Sequence, residues 1–582
     1  MEVPTDTDEP MQPPPIPATY KIRSLLGKPL RRRLTTARGR FLHSAHAACR
    51  SIQHDLLRDL LQLNANTAFA RHYQLHPGMS LAEFRNRIPV ADYEFFRPWI
   101  DRAAAGEHSA LLGSQNQLLM FALTSGTTDA SKKIPVTTRF LKDYRRGWQQ
   151  WGVGVYQHFP NLPDLNIVQI SSSHRRSFTS GGTPCGNISG LVATMQNAVV
   201  RSLYTVSADV AEVHQQQLKR RFTLQLALAD PHVGVFMTAN PATLMQLFQE
   251  ITDNAEELIQ DLREGLRNQV PADCVTAASL RRKLGPKPAR AAQLTELLKQ
   301  HGRLTPRNIW PWLQVLGVWT GGSAAAWRQG LSELCENIPV WDHGLHASEG
   351  RMTLPLEPGR STGVLEIQTH FFEFLPVSEE NSANPVVLEA HELQEGSEYY
   401  ILLTTSSGLC RYHIRDVVRC TGFHGATPLL EFLHKGAHIS SITGEKISES
   451  QVVDAVRQAA DHHVPLRLFT LTAAWDQPPR YVLYLQLPSD TSPEQLNTFA
   501  GTVDRFLCDA NEEYRDKRNS GRLGPIRPGL LPDNAWKSLQ QARLQRSGGS
   551  PEQYKHPFLL PDPEFRELFL RDCGLAGTGR FS

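Results

Sequence analysis

Between Arg31 and Ala70 apolar side chains return every three or four positions, at Leu42, Ala45, Ala48, Ile52, Leu56 and Leu60. This spacing predicts an amphipathic helix or helix pair with one face in a core. The rhythm then changes to short apolar runs, LNIVQIS and HVGVFMTA, alternating with amphipathic stretches such as 242–266. Such alternation predicts an α/β architecture with a partly parallel sheet. Residues 280–300, LRRKLGPKPARAAQLTELLKQ, read as a solvated helical excursion. A second strand series, GVLEIQTHFFEFLP, VVLEA and YYILLTTSSGLCRYHIRDVVRCTGF, has no helical pattern between its members, which predicts an antiparallel subdomain or small barrel. After Leu433-His434-Lys435-Gly436 the texture changes again, with a helix expected over 449–462, strands over 466–473 and 481–487, and a helix over 493–511. This is the pattern of a compact α+β unit. The fold class expected is therefore α/β, with a large composite N-terminal domain over 19–435 and a smaller α+β C-terminal domain over 436–582.

At 582 residues the chain exceeds what one core organises, so an active site between two domains is feasible. Residues 1–18 hold six prolines and few apolar side chains, and a flexible tail outside the fold is expected there. That terminus is acidic where a secretory signal would be basic and then apolar, and no run approaches about 18 apolar residues. Neither secretion nor a membrane span is expected. The balance of 61 basic and 58 acidic residues, net +3, argues against nucleic acid as a partner. The run Arg31-Arg32-Arg33 reads as a solvated helix-end cluster. Eight cysteines are scattered without CxxC pairs, as in a reducing cytoplasm. A cytoplasmic monomer is expected.

The candidate chemistry begins at Thr124-Ser125-Gly126-Thr127-Thr128-Asp129-Ala130-Ser131-Lys132-Lys133, directly after the apolar run LLMFAL. Small residues let backbone approach phosphate oxygens, hydroxyls donate, and lysine adds a point charge. The GxxxxGK[ST] spacing of P-loop enzymes is missing. Farther on come His343-Gly344-Leu345-His346-Ala347-Ser348-Glu349-Gly350, Phe371-Phe372-Glu373-Phe374-Leu375-Pro376, Arg411-Tyr412-His413-Ile414-Arg415-Asp416-Val417-Val418, Gly444-Glu445-Lys446-Ile447-Ser448-Glu449, and then Leu523-Gly524-Pro525 and Gln553-Tyr554-Lys555.

In that order, these segments resemble the motifs of the GH3 acyl acid–amido synthetase family, a branch of the adenylate-forming enzymes, in its bacterial type. The similarity runs over about residues 20–570. The resemblance implies an ATP- and magnesium-dependent ligase that adenylates a small carboxylic acid and passes the acyl group to an amine such as an amino acid, releasing AMP and pyrophosphate. It implies that Thr124, Ser125, Gly126, Thr127, Thr128 and Lys132 hold phosphates, and that His346, Ala347, Ser348 and Glu349 line the nucleotide site. Glu349 is a hard oxygen ligand suited to magnesium. Asp416 is expected on the ribose hydroxyls, and Lys435 beside the nucleotide at a hinge where related enzymes commonly carry arginine. Lys446 and Lys555 are candidates for the α-phosphate, with Lys446 preferred. Arg175 or Arg176, in the segment SSSHRR, suits a bidentate contact to the acid, with Gly321 and Gly322 also beside it.

Each residue also has an ordinary reading. Glu349 suits the first turn of a helix, Asp416 a surface pair with Arg411, Arg415 or Arg419, Glu373 an edge-strand charge, and Lys446, Lys555 and Arg175 plain surface positions. His346 lies where a general base for the amine would be useful, though a lone histidine is more often structural. Asp129 and Ala130 depart from the family pattern at a glycine-rich place, and His413-Ile414-Arg415 replaces a glycine-bearing turn. Two other outcomes stay open: a thiol acceptor such as coenzyme A, and a nucleotide-binding protein without turnover.

Overall fold

The computed structural model describes residues 13–124, 132–196, 198–322, 324, 328–380, 382, 384–436, 439–440, 442–443, 445, 447–463, 468–486, 492–547, 554–560 and 563–575. The helix pair forms as α1 (Ala18–Ala47) and α2 (Cys49–Leu63), the latter burying Gln53, Leu56, Leu57, Leu60 and Leu61. Residues 13–17 form no helix or strand, but they are not a loose tail. Trp312 Nε1 donates to the Pro14 carbonyl at 2.8 Å, and Ile16 packs on the main core.

The α/β expectation holds for the centre of the chain. A parallel sheet runs in the order Asn166–Gln169, Val233–Met237, Val315–Val318, Val340–Asp342, and the middle strands are buried almost throughout. Burial on both faces explains why these strands read as continuous apolar runs. A second sheet centres on Leu118–Thr124, flanked by antiparallel Lys132–Thr137 and parallel Pro184–Gly186. Residues 242–266 divide into Pro241–Asp253 and Ala255–Glu264, because Asn254 leaves the helical region. The 280–300 stretch is a correction to the solvated reading. Its helices Ala277–Lys283 and Pro288–His301 bury Leu280, Leu284, Ala291 and Leu294 in a separate core under the parallel sheet.

The second strand series forms a seven-stranded sheet, antiparallel at every pairing, in the order Thr353–Pro355, Gly363–Leu365, Thr427–Lys435, Tyr412–His424, Glu398–Thr404, Phe371–Pro376, Leu388–Glu389. At its exit Gly436 donates from its backbone to Arg415 O at 2.7 Å. A side chain there would meet the Tyr400 ring at 2.6 Å, so only glycine passes this point unshifted. Beyond it, helices Glu449–His463 and Pro493–Ala510 pack on a mixed sheet, Arg527–Leu530, Arg480–Leu485, Phe469–Ala474, Leu559–Leu560, around its own core of Val452, Leu471, Leu483 and Phe499. Asn240 Nδ2 ties this unit to the larger body through the Tyr554 carbonyl at 2.6 Å. Among the described residues no helix is long and apolar enough to cross a membrane.

Candidate active site

Parallel α/β sheets present ligands with loops at the carboxyl ends of their strands. Here the loop after Val340–Asp342 leads into a tight hairpin, His346–Ala347 against Gly350–Arg351, with Ser348 and Glu349 at its tip. No helix starts there, so Glu349 is not a cap. Gly350 has φ +143°, and a Cβ would lie 2.1 Å from His370 Nε2, which explains the glycine after Glu349.

Glu349 is buried. Desolvation pushes its carboxyl above the usual range, Lys435 pulls it back, and Asp416 adds a further push upward. Lys435 Nζ lies 2.8 Å from Asp416 Oδ1 across adjacent strands of the seven-stranded sheet. Burial disfavours the Lys435 ammonium, but Asp416 and Glu349 outweigh it and hold its pKa above that of an ordinary lysine. Asp416 is therefore not paired with its neighbouring arginines: Arg411 pairs with Glu373, Arg415 with Asp92, and Arg419 with Glu398. Lys132, at the start of the strand leaving the phosphate-type loop, feels Glu349 and Lys435, and desolvation lowers its pKa. Its Nζ lies 5.5 Å from the Tyr93 ring centre, and the Tyr93 hydroxyl accepts from Lys133 N at 3.0 Å. Tyr412 faces Glu349 closely enough for a side-chain hydrogen bond.

From the C-terminal unit Lys555 reaches the same cluster, its Nζ 4.9 Å over the Trp319 ring. The residue stays open to solvent, yet desolvation within the cleft and then Lys435 lower its pKa, while Asp416, Glu449 and Glu349 oppose that.

Beside the cluster lies a cavity of about 320 Å³ whose lining includes the rings of Tyr144, Trp148, Trp151, Tyr156 and Tyr204 together with His343 and His346. His346 Nδ1 lies 2.8 Å from the Gly344 carbonyl, an acceptor, so Nδ1 carries the proton and Nε2 keeps its lone pair. Burial lowers its pKa to about 4. An amine of ordinary basicity holds its proton about four units more tightly, so His346 is a poor general base for it.

Buried ion pairs hold these walls. Arg351 Nε meets Glu366 Oε1 at 3.0 Å, Nη2 donates to the His343 carbonyl at 2.8 Å, and the guanidinium lies 4.4 Å from the Trp148 ring. Gly147 makes room, since its Cβ would fall 2.6 Å from Glu366 Oε2. Asp342 accepts from Thr320 N and Oγ1 and from Gly344 N at 2.5–2.6 Å, joining two sheet-end loops. Glu373 is likewise no edge-strand charge. It is buried between Arg85 at 2.8 Å and Arg411 at 3.0 Å, and Arg411, with φ +49°, immediately precedes Tyr412.

The structure thus brings together Lys132, Glu349, Asp416, Lys435 and Lys555, with His346 on the cavity wall. Thr124 ends its strand; Ser125, Gly126, Thr127, Thr128, Asp129, Ala130 and the preferred Lys446 lie outside the described residues. Ala347 and Ser348 are half-buried in the hairpin. Arg175 is exposed, and neither it nor Arg176 lines the cavity. Gly321 and Gly322 also stand apart from it. A Cβ on Gly322 would lie 2.6 Å from Leu433 O and one on Gly321 3.0 Å from Trp319 Nε1, which puts both glycines beside Lys435 and Lys555. Sequence reading passed over Tyr93, Trp319, Arg351 and Asp342. Asp342 and Arg351 carried a signal, standing immediately before and after the His343–Gly350 motif.

The pattern of the GH3 family N-terminal domain matches residues 38–340, that of the GH3 family central domain residues 363–435, and that of the GH3 family C-terminal domain residues 450–564. The jasmonoyl–L-amino acid synthetase GH3.5 of Oryza sativa subsp. japonica is 24% identical over 543 residues, covering 87% of this chain and 91% of its own. The indole-3-acetic acid-amido synthetase GH3.4 of Arabidopsis thaliana is 24% identical over 538 residues, covering 87% and 88%. Among solved structures, the GH3.15 acyl acid amido synthetase has a TM-score of 0.79 at 23% identity, with 92% of this chain and 94% of that one covered. A 2-hydroxyisobutyryl-CoA ligase has a TM-score of 0.51 at 12% identity, with 90% and 91% covered, which extends the shared fold to an adenylate-bound ligase. Matched domain by domain and in order along its length, this chain belongs to the GH3 family.

Proposed function

We propose that the protein is an ATP-dependent ligase that adenylates a carboxylic acid and transfers the acyl group to an amine, an amino acid by analogy with its relatives. The observation that carries this reading is the convergence of Lys132, Glu349, Asp416, Lys435 and Lys555 from five separate segments, with Lys555 also close enough to act on His346 in the wall of an aromatic cavity. A carboxylate is a weak nucleophile and a poor acyl donor, so its oxygen must first attack the α-phosphorus of ATP, expelling pyrophosphate. Lys132 would offset charge on the departing phosphates, and Lys555 would offset charge on the α-phosphate as the new P–O bond forms. Asp416, oriented by Lys435, would accept from the ribose hydroxyls through its remaining lone pairs. The amine then attacks the acyl carbon, AMP leaves with the electrons of the C–O bond, and the amine loses a proton.

Glu349 fits magnesium: it is a buried hard oxygen donor whose charge desolvation leaves poorly compensated, and magnesium takes one or two carboxylates together with phosphate oxygens. Bound there, the ion would neutralise triphosphate charge. The division at Gly436 supports a rotation of the C-terminal unit that removes Lys555 after adenylation and admits the amine. Eight free cysteines support a reducing, cytoplasmic setting, and a nearly neutral balance of charge supports a protein that binds no nucleic acid.

The test is pyrophosphate release from MgATP across a panel of acids, with and without amino acids, followed by mass spectrometry. Acid-dependent release with an amide of matching mass is expected. An acyl-thioester formed with coenzyme A would replace this reading with the thiol-acceptor one, and nucleotide binding without release would replace it with a non-catalytic role.

A further inference from the structure

The cavity has two chemically different ends. At one, His343 and His346 lie 4.8 and 5.8 Å from the Trp148 ring, three residues or more before Glu349. Trp148 belongs to helix α3 (Thr138–His158), which runs along the cavity wall. Tyr156 lies eight residues farther along α3, about 12 Å away at 1.5 Å per residue. There Tyr156 interacts with Arg31 of α1 and with Tyr204, whose hydroxyl also reaches Gln196. All four line the cavity. The histidine end is built around the Trp148 and Trp151 rings, and the far end, at Tyr156, gathers a cation, two phenols and an amide.

The protein satisfies that far end in part, through the Gln196 side chain on the Tyr204 hydroxyl and Ser24 on Arg31. Arg31 gives one nitrogen, Nη2, to Ser24, at 2.8 Å to the carbonyl and 3.2 Å to the hydroxyl, and has no carboxylate partner among the described residues. Burial pushes the Tyr204 hydroxyl up to about 12, with Tyr156 adding to it. An unsubstituted hydrocarbon tail filling the cavity would strip water from these groups and replace it with nothing. A site of this kind discriminates strongly against a ligand that lacks the matching polar group.

We propose that the far end is a subsite for an acceptor oxygen. On this reading the acid is an aryl- or arylalkyl-carboxylic acid with a phenolic, carbonyl or second carboxylate oxygen remote from the reacting carboxylate, held by Arg31 and Tyr204. The proposal rests on the ligase reading only for which end takes the reacting carboxylate.

The experiment measures binding to the full chain by calorimetry for 3-phenylpropanoic acid, 3-(4-hydroxyphenyl)propanoic acid and 3-(4-carboxyphenyl)propanoic acid. At least one oxygenated acid should bind about tenfold or more tightly than the phenyl acid, and Arg31→Gln and Tyr204→Phe, made separately, should each bring that ratio toward one. Equal affinities in the unaltered chain, no binding by any of the three, or a ratio that survives in both variants would overturn the subsite. Pyrophosphate release in the same samples separates the two readings. Preference without release retains the subsite and sinks the ligase; release without preference retains the ligase and sinks the subsite.

Discussion

Replacing Arg351 with methionine should be among the more costly single changes in this protein and should also loosen the acid site. The Arg351 side chain is wholly buried and that of Glu366 is 3% exposed. Methionine keeps much of the apolar stem but deletes the partner of Glu366 and the donor to the His343 carbonyl. Removing one member of a buried pair costs about 3–5 kcal/mol, because the other charge stays desolvated. Glu366 relieves part of this by taking a proton, since desolvation already raises its pKa. At roughly 2 °C per kcal/mol for a large domain, the thermal midpoint should fall by about 6–10 °C. The double variant Arg351→Met/Glu366→Leu should regain most of that loss, since no buried charge remains. Its KM for the acid should stay about 2–10-fold high, because Trp148 still lacks the guanidinium against its ring. Thermal unfolding and pyrophosphate-release kinetics on all three variants check this. A single variant within about 1 °C of the parent would refute the low-dielectric reasoning, and a double variant with a normal KM would refute the positioning role.

Glu349→Gln should cut acid-dependent pyrophosphate release by about a hundredfold or more with an unchanged thermal midpoint, and near-normal release would remove Glu349 from the metal site. Asp416→Ala should mainly raise the KM for ATP; an unchanged ATP requirement would refute the ribose contact. His370 and His556 are buried, and desolvation lowers their pKa values to about 3 and about 4. Unfolding lets both rings take protons below about pH 6.5, so stability should be full above that pH and fall by up to about 3 kcal/mol per unit as pH drops toward 4. A midpoint that stays flat between pH 7 and 5 would contradict this. Solution scattering should differ between the ATP complex and the complex with a non-hydrolysable acyl-adenylate mimic, and superimposable profiles would argue against rotation about Gly436.

Much of the architecture was legible from local pattern. The apolar runs of the parallel strands, the antiparallel series after Gly363 and the helices of the C-terminal unit follow from side-chain periodicity, which is set by backbone geometry within each element. The amphipathic helices of 280–300 misled because a charged face was visible in the sequence while the second core that buries their other face was not. Segments such as His346–Gly350 and Arg411–Val418 stood out through their resemblance to family motifs taken in order, since each residue read by itself had an ordinary structural explanation.

The sequence by itself determined which short segments carry reactive groups, and in what order. Tertiary structure alone decided which of those groups meet. Lys435 joins Asp416 because their two strands are paired in register, Lys555 arrives from far along the chain only through the seating of the C-terminal unit, and Arg175 is left facing solvent. The same holds for the cavity, whose wall draws on α1, α3 and the loop after the last parallel strand. Periodicity reports which way a side chain faces on its own element; what it faces depends on strand order and domain placement, which burial of the whole core selects.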